Sequence, residues 1–232
     1  MKVMLLAAGK GERMQPLTTH TPKPLLQAGG KSLLEHLIRK LAAHNFTDLV
    51  INHAWLGQQI EDAFGDGSTL GVKITWSRET EPLETAGGII KALPLLGNEP
   101  FAVVNGDVWT DYPFGNLRNQ LSAQDLVHLV LVANPAHHPK GDFTLDNKGR
   151  LAMPIATAIP PSSTFTYSGI GVFHPRLFAG VSETKYPLLP LLKQAITHQQ
   201  ASGSLFSGEW IDIGTPQRLQ QLDQQLKATA HE

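Results

Sequence analysis

The stretch LLAAGKGERMQPLTTHTPKPL, residues 5–25, joins a short apolar run to a loop rich in glycine and proline. Residues 3–8 have the length and composition of a fully buried strand. Gly9 and Gly11 follow at once, and glycine permits positive φ and a close approach of ligand to backbone. Backbone N–H groups in such a loop can point at phosphate oxygens. The stretch therefore indicates either a structural turn or a phosphate-binding loop at the end of the first strand.

Two cations in the same stretch favour the phosphate-binding loop. Arg13 lies just past the glycines, and Lys23 stands between Pro22 and Pro24, which restrict the chain on both sides of it. The loop is not a P-loop, because the spacing of that motif is absent. It is also a poor dinucleotide fingerprint, because Met14 stands where the third glycine would be.

Two acidic positions extend the pattern. Asn105-Gly106-Asp107 follows a strand predicted at residues 101–104, and ligands of open parallel sheets collect at the carboxyl ends of strands. A carboxylate there suits a hard cation such as Mg²⁺, although the same triplet is common in ordinary turns. In WIDIGT, residues 210–215, Asp212 alternates with two isoleucines, so it is either exposed at an edge or aimed into a site. Together these groups predict metal-assisted phosphoryl or nucleotidyl transfer.

Composition narrows the class of protein. The chain has 232 residues, 41% hydrophobic and 17% charged, which is typical of one globular domain rather than a disordered chain. The net charge of −1 gives no field that would attract nucleic acid or an acidic membrane. The absence of cysteine excludes disulfides, thiol catalysis and cysteine zinc sites. No apolar run approaches the roughly 18 residues of a membrane span, so we expect a cytoplasmic protein.

The order of predicted elements indicates an α/β fold. Strands are predicted at residues 3–8, 49–52, 72–76 and 101–104, and helices lie between them; the first follows a capping box at Ser32–Glu35. This alternation predicts a mostly parallel central sheet with helices on both faces. From residue 126 the pattern becomes richer in strands, with a hairpin turn at residues 147–149 and two closing helices at about 187–199 and 216–227.

The opening loop resembles the signature of the sugar-1-phosphate nucleotidyltransferases, G-x-G-x-R-x-x-P-L-T followed by P-K-P. The stretches VNGD (104–107), EPLETAGGI (81–89), SGIGVF (168–173) and WIDIGT extend the resemblance over essentially the whole chain. A narrower resemblance, to the bacterial N-acetylmuramate 1-phosphate uridylyltransferases of peptidoglycan recycling, lies in INHAWLGQQIED (51–62), VNGDVWTDY (104–112), NPAHHPKGDF (134–143) and FTYSGIGVFHPRLF (165–178).

The resemblance implies a Rossmann-like, GT-A-like fold and an in-line reaction. The sugar 1-phosphate attacks the α-phosphorus of a nucleoside triphosphate, and pyrophosphate leaves. Arg13 would neutralise the pyrophosphate, Lys23 would bridge the α-phosphate and the sugar phosphate, and Asp107 and Asp212 would hold Mg²⁺. No general base is needed, because the phosphate nucleophile is already ionised at pH 7. The adjacent His137 and His138 are therefore interpreted as loop residues.

Further residues are assigned by position within the resemblance. The implied nucleotide-binding set is Ala7, Ala8, Gly9, Gly11, Glu12, Arg13, Lys23, Glu79, Thr85 and Gly87. The implied substrate-binding set is Asn105, Gly141, Asp142, Ser168 and Gly169. The chain would form a single domain, 1–232, with a nucleotide-binding part at about 1–110 and a smaller, β-rich sugar-binding part at about 111–232. Its expected substrates are UTP and a sugar 1-phosphate. Its expected assembly is a monomer or a small homo-oligomer.

The sequence also departs from the wider family. Many relatives carry a Glu-Lys-Pro element before the late S-G-I strand, whereas residues 150–163 here read RLAMPIATAIPPSS. Gly141-Asp142 is therefore the candidate sugar contact. Lys140, with His138 behind it, is the candidate partner of the lactyl carboxylate that distinguishes N-acetylmuramate from N-acetylglucosamine.

Base preference stays open at the level of residues. A carboxylate at Glu79 accepts hydrogen bonds only, so it suits N3–H of uracil or thymine, and equally N1–H and N2–H₂ of guanine. A GDP-sugar pyrophosphorylase for mannose or heptose 1-phosphate is thus an alternative. A catalytically inactive nucleotide-sensing subunit is a further alternative, although such a chain would have lost Arg13, Lys23 or a metal-binding aspartate.

Overall fold

The computed structural model describes residues 1–154, 163–182 and 184–229. Its strands are β1 (Val3–Leu6), β2 (Gln27–Ala28), β3 (Lys31–Ser32), β4 (Asp48–His53), β5 (Lys73–Arg78), β6 (Phe101–Asn105), β7 (Val108–Thr110), β8 (Val127–Val132), β9 (Phe143–Leu145), β10 (Leu151–Ala152), β11 (Thr164–Phe173), β12 (Ala201–Phe206) and β13 (Trp210–Asp212). Its α-helices are α1 (Leu33–Ala43), α2 (Gly57–Phe64), α3 (Glu84–Leu96), α4 (Leu189–Thr197) and α5 (Pro216–Thr229).

A nine-stranded sheet with mixed strand directions forms the centre of the molecule. Its main path runs β10-β9-β11-β6-β1-β4-β5, with β8 paired to β11 and β12 paired to β8. The strands β6, β1, β4 and β5 are mutually parallel, as the alternation of elements predicts. The late strand β11 runs antiparallel beside β6, so the second half of the chain extends the sheet of the first.

The register of β1 aligns three strand ends. Leu6 lies opposite Asn52 of β4 on one side and opposite Asn105 of β6 on the other. Because all three strands run in the same direction, the segments that follow them leave the sheet at one edge. The loop after β1, the end of β4 and the triplet ending at Asp107 are therefore neighbours.

Helices cover both faces of the sheet, as predicted. Val3 and Leu5 of β1 pack in one buried cluster with residues of α1 and α2. Met4, between them, packs in a second buried cluster with residues of α3 and α4. This is the period-two alternation of a strand buried on both faces.

Capping residues mark the starts of α1 and α5, as the sequence predicts. Ser32 Oγ accepts a hydrogen bond from Glu35 N at 3.2 Å, the N-cap contact of α1. Thr215 Oγ1 accepts from Arg218 N at 3.3 Å, and α5 begins at Pro216.

Within the described ranges no helix is both long and apolar enough to span a bilayer.

A third, smaller buried cluster joins the opening loop to the C-terminal helix. Met14 is fully buried there with Ile213 and with Leu219 and Leu222 of α5. The helix also contacts β2, and Asp223 accepts a hydrogen bond from Gly29 N at 2.9 Å. Residues from both ends of the sequence therefore support the loop that follows β1.

Candidate functional site

A cavity of about 1040 Å³ opens at the carboxyl ends of β1, β4 and β6. Its volume is at the upper end of the range for small-molecule sites, about 300–1000 Å³, and suits a nucleotide with a second substrate. The predicted site residues in its wall are Ala7, Ala8, Gly9, Gly11, Glu12, Arg13, Lys23, Glu79, Thr85, Asn105 and Asp107. The structure thus brings most of the nucleotide-binding set to one place.

The opening loop is held in a tight form by Thr18. Gly11 has φ +66°, and Thr18 Oγ1 donates to its carbonyl oxygen at 2.8 Å. A Cβ on Gly11 would lie 2.9 Å from Thr18 Cγ2, so a larger residue would meet both strain and a clash. At Gly9 no atom lies within 4 Å of a Cβ position. Gly11 therefore permits the tight turn of the loop, and Gly9 leaves room beside the cavity.

Lys23 and Asp107 form an ion pair at the cavity wall. Lys23 Nζ lies 2.5 Å from Asp107 Oδ2, and the lysine side chain is only 11% exposed. Lys23 begins a short 3₁₀ turn, Lys23–Leu25, after Pro22 in an extended conformation. The turn fixes the backbone that carries the ammonium group.

Asp212 lies on a strand neighbouring Asp107. β13 pairs antiparallel with β7, and Ile213 N donates to the Asp107 carbonyl oxygen at 2.7 Å. The Asp212 carboxylate accepts a hydrogen bond from Arg218 and lies 3.0 Å from His137 Nε2. The Asp212 side chain thus contacts Arg218 and His137 rather than standing exposed on its strand.

Three charged side chains converge on Gly214, which lines the cavity. A Cβ at this position would lie 3.2 Å from both Arg13 Nη2 and Asp212 Oδ2, and 2.5 Å from Arg218 Nη2. A larger residue at this position would displace the ends of these three side chains. This convergence connects Asp212 to the part of the cavity that contains Arg13.

The two aspartates are suitable oxygen ligands for Mg²⁺. This ion is typically held by one or two carboxylates together with substrate phosphates and waters, rather than by a cage made of protein alone. Over the described ranges no group of three or more His, Asp or Glu side chains is arranged to hold a metal ion. Two carboxylates do not make a complete ligand set, so substrate phosphates and waters would have to supply the other ligands of an ion held by Asp107 and Asp212.

Glu79, which follows β5, also lines the cavity and is almost fully buried. Its Oε1 accepts from Asn52 Nδ2 at 2.6 Å, and its Oε2 accepts from Leu83 N at 3.1 Å. Burial raises the pKa of the Glu79 carboxyl above its ordinary value, an effect that these hydrogen bonds partly oppose. Thr85 lines the same wall, whereas Gly87 lies beneath Tyr186, whose carbonyl oxygen accepts from Gly87 N at 3.1 Å.

The remaining substrate-binding candidates gather around an irregularity in β11. The pairing of β11 with β8 shifts between Tyr167 and Ile170, and Gly169 there has φ +78°. A Cβ on Gly169 would lie 2.7 Å from Asn105 Cγ. Ser168 is buried, and its hydroxyl donates to Val130 O at 2.7 Å.

Asp142 and its neighbours lie next to this irregularity. Asp142 Oδ2 accepts from Tyr167 N at 2.9 Å, and Oδ1 lies 3.0 Å from His138 Nε2. Gly141 packs against Asn134, which a Cβ would approach to 2.5 Å. Lys140 is exposed. None of residues 140–142 is among the described residues that line the cavity. Of the departing stretch 150–163, residues 155–162 lie outside the described residues.

Sequence reasoning missed several residues of the site. Asn52, Trp55, Lys185 and Gly214 line the cavity, and Arg218 pairs with Asp212. Asn52 carried a usable signal, because it is a polar residue at the carboxyl end of a buried strand, like Asp107. His137 was interpreted as a loop residue, yet it contacts Asp212 from a segment 75 residues away in sequence, which no local pattern reveals.

The sequence matches the family model described as nucleotidyl transferase over residues 2–229. It is 46% identical over 233 residues to the N-acetylmuramate alpha-1-phosphate uridylyltransferase of Neisseria meningitidis serogroup B, with 95% of this chain and 96% of the relative covered. It is 32% identical over 225 residues to the protein of the same name from Caulobacter vibrioides, with 92% of each covered.

A solved structure also resembles the whole chain. A Bacillus anthracis protein assigned as a glucose-1-phosphate thymidylyltransferase, in complex with a sucrose, superposes with a TM-score of 0.84 at 20% identity. The superposition covers 98% of this chain and 95% of that one. At this identity the likeness concerns the fold alone, and it confirms the predicted fold class.

Proposed function

This chain belongs to the nucleotidyl transferase family, and on that premise we propose that it transfers a uridylyl group from UTP to N-acetylmuramate 1-phosphate. The products are UDP-N-acetylmuramate and pyrophosphate. One observation carries the transferase assignment: the glycine loop, Arg13, Lys23 and Asp107 line a single cavity. The choice of UTP and of the muramate acceptor is supported by the two uridylyltransferase relatives.

The reaction is a displacement at the α-phosphorus of UTP. An oxygen of the sugar phosphate forms the new P–O bond, and the bond to the pyrophosphate oxygen breaks. The nucleophile is already an anion, so the residues of the site position and neutralise charge rather than remove a proton. Arg13 faces the accumulating charge of the pyrophosphate, and the backbone of residues 7–11 surrounds the triphosphate.

Lys23 is the cation placed between the two reacting phosphates. Its ammonium group is paired with Asp107 Oδ2 at 2.5 Å. Two phosphate groups repel each other, and one shared cation lowers that repulsion as they approach. The restricted backbone at Lys23–Leu25 keeps this cation at the cavity wall.

Asp107 and Asp212 are the residues that would hold Mg²⁺. When bound, the ion neutralises phosphate charge and polarises the α-phosphate. Each carboxylate is paired with a cation of the protein, Asp107 with Lys23 and Asp212 with Arg218. Lys23 and Arg218 are therefore the cations that an ion held by these carboxylates would compete with, and Lys23 is also the cation that would contact phosphate.

The test is a matrix of nucleotides and acceptors. UTP, GTP, dTTP, CTP and ATP are each supplied with N-acetylmuramate, N-acetylglucosamine, mannose or heptose 1-phosphate, and pyrophosphate release is measured. We expect the highest kcat/KM for UTP with N-acetylmuramate 1-phosphate. A preference for GTP with mannose or heptose 1-phosphate would show that the acceptor and base are wrongly assigned while transfer itself is correct.

The source of acceptor selectivity is tested with Lys140→Ala. One charged contact to the lactyl carboxylate gives about 10–150-fold discrimination. Lys140 is exposed and outside the described cavity wall, so its contribution requires the 134–142 segment to approach the bound sugar. A reduced preference for the muramate over the glucosamine acceptor supports that contact. An unchanged preference assigns lactyl selection to shape instead.

A further inference from the structure

A continuous hydrogen-bonded chain connects the loop after β1 with the turn before α3. Ala7 N donates to Asn52 Oδ1 at 2.9 Å, and Asn52 Nδ2 donates to Glu79 Oε1 at 2.6 Å. Leu83 N donates to Glu79 Oε2 at 3.1 Å. The Asn52 amide and the Glu79 carboxylate thus join two separate walls of the cavity, which they also line.

These groups are buried, so losing a partner is costly. Asn52 is 2% exposed and Glu79 is 7% exposed. A buried polar group without a partner loses its hydration and gains nothing in return. Burial raises the pKa of Glu79, which agrees with a carboxylate whose main contacts are within the protein rather than with solvent.

The sequence around the pair is shaped to admit it. A Cβ on Gly88 of α3 would lie 2.8 Å from both Asn52 Nδ2 and Glu79 Oε1. The turn that Leu83 N fixes includes Glu84, a non-glycine residue with φ +60°. Such a conformation is strained and persists only where the surroundings hold it. The bond from Leu83 N to Glu79 is one of those constraints.

We propose that Asn52 and Glu79 are positioning residues that act as a pair, the Asn52–Glu79 brace, to set the nucleobase wall at residues 79–85 relative to the phosphate loop at residues 7–11. In this role Glu79 acts through Leu83 and Asn52, and base discrimination comes from the shape of the wall. The proposal rests on the proposed function, because a nucleobase wall has a role only if nucleotide binds in the cavity.

The first test needs no nucleotide. Amide hydrogen exchange across residues 79–85 is measured in the full chain as wild type, Asn52→Ala and Gly88→Ala. Gly88→Ala removes no polar group but pushes into the pair. Both variants should exchange faster at Leu83 and its neighbours. Gly115→Ala is the matched control, because a Cβ there meets nothing closer than 3.5 Å. Unchanged exchange in both variants overturns the brace, whatever the protein binds.

The second test separates the brace from direct reading of the base. Dissociation constants for UTP, GTP and tripolyphosphate, which has no base, are measured by calorimetry with Mg²⁺ for Asn52→Ala, Glu79→Ala and the double variant. We expect each single substitution to raise the dissociation constant for UTP about tenfold or more. The loss of UTP affinity in the double variant should be much smaller than the product of the two single losses, because both substitutions break the same Asn52–Glu79 hydrogen bond.

The other ligands fix the interpretation. Asn52→Ala should also weaken the binding of tripolyphosphate, since Ala7 N loses its acceptor. Glu79→Ala should leave the binding of tripolyphosphate unchanged. A UTP-to-GTP ratio that changes in Glu79→Ala but not in Asn52→Ala would mean that Glu79 reads the base directly, and would overturn the positioning role. If the wild type binds no nucleotide while the exchange result holds, the proposed function fails and the brace remains.

Discussion

At the scale of single residues, the acidic residues of the candidate site are paired with basic side chains of the protein. Lys23 is paired with Asp107, and Asp212 is paired with Arg218. In the proposed reaction, phosphate groups and a divalent cation would offer each of these groups a new partner of the opposite sign. The effect of a substitution therefore includes the charge that it leaves unpaired as well as the contact to substrate that it removes.

Lys23→Ala should lower kcat by about 10²–10³ while the protein stays folded. Removing one preorganised electrostatic contact to a transition state typically has this effect. Turnover is followed by pyrophosphate release, and folding by circular dichroism. Lys148→Ala, which removes an exposed lysine in the 146–150 turn, is the control and should retain wild-type turnover. Near-normal turnover in folded Lys23→Ala would contradict the assigned role.

Asp107→Asn and Asp212→Asn should each remove most activity, and the double variant should lose little more. Residues that act through one metal are strongly non-additive. Activity should disappear in a chelator and return with Mg²⁺ or Mn²⁺. Asp62→Asn, on the exposed side of α2, serves as the control. Losses that multiply independently, or full activity in the chelator, would exclude a shared metal.

Much of the site at residue scale was predictable from short-range patterns. Arg13 lies two residues past Gly11, Lys23 stands between two prolines and Asp107 follows Gly106, and these signals are local in sequence. The pairing of Arg218 and His137 with Asp212 was not predictable, because it depends on how α5 and the 134–142 segment meet β13. The burial of Glu79 likewise depends on Asn52 and Gly88, which approach it from other elements.

At the scale of elements, the pairing of β8 with β12 contains a buried histidine. His128 is 4% exposed, and its ring nitrogens each lie 3.0 Å from a serine hydroxyl of β12, Ser202 and Ser204. Burial lowers the pKa of His128 to about 4, and Asp125 opposes the shift only in part. The folded protein thus keeps this ring neutral at pH values where an unfolded chain would protonate it.

Stability should therefore fall as the pH is lowered from about 6.5 to about 4. In that window the unfolded chain binds a proton at His128 that the folded chain does not, and lowering the pKa from 6.5 to about 4 corresponds to about 3 kcal/mol of stability. Urea unfolding at pH 7, 6 and 5 should show a shallower loss for His128→Gln than for wild type. His198→Gln, at the exposed end of α4, should behave like wild type. Equal pH slopes for His128→Gln and wild type would contradict the shift.

The elements themselves were largely predictable, and their partners were not. The apolar runs at β1, β4 and β6, the alternation of polar and apolar residues at β5 and the cap of α1 are properties of contiguous residues. The antiparallel placement of β11 between β6 and β8 joins residues more than 30 positions apart. No periodicity in the sequence specifies such a neighbour.

At the scale of the whole molecule, the two predicted parts share one sheet. β11 and β8 come from residues beyond 110, yet β11 is hydrogen-bonded to β6 of the first part. β13 pairs with β7, and α5 contacts β2. The sequence division at about residue 110 therefore marks a change of pattern rather than a gap in the packing.

We expect one cooperative unfolding transition for the entire chain. Far-UV circular dichroism and tryptophan fluorescence should give the same urea midpoint, because contacts between the two parts are lost together. The tryptophans at positions 55, 76, 109 and 210 report on both parts. Two separated midpoints would instead indicate two independently folding units divided near residue 110.

The small cluster around Met14 has a consequence for how the protein is made. Met14 belongs to the opening loop, but its buried neighbours Leu219 and Leu222 belong to the last helix. A ribosome adds residues at about 5–20 per second, so roughly 10–40 s separate the synthesis of the loop from that of its support. Until α5 has been synthesised, Met14 lacks these buried neighbours, so the nascent opening loop carries an exposed apolar side chain that is a binding site for a chaperone specific for such side chains.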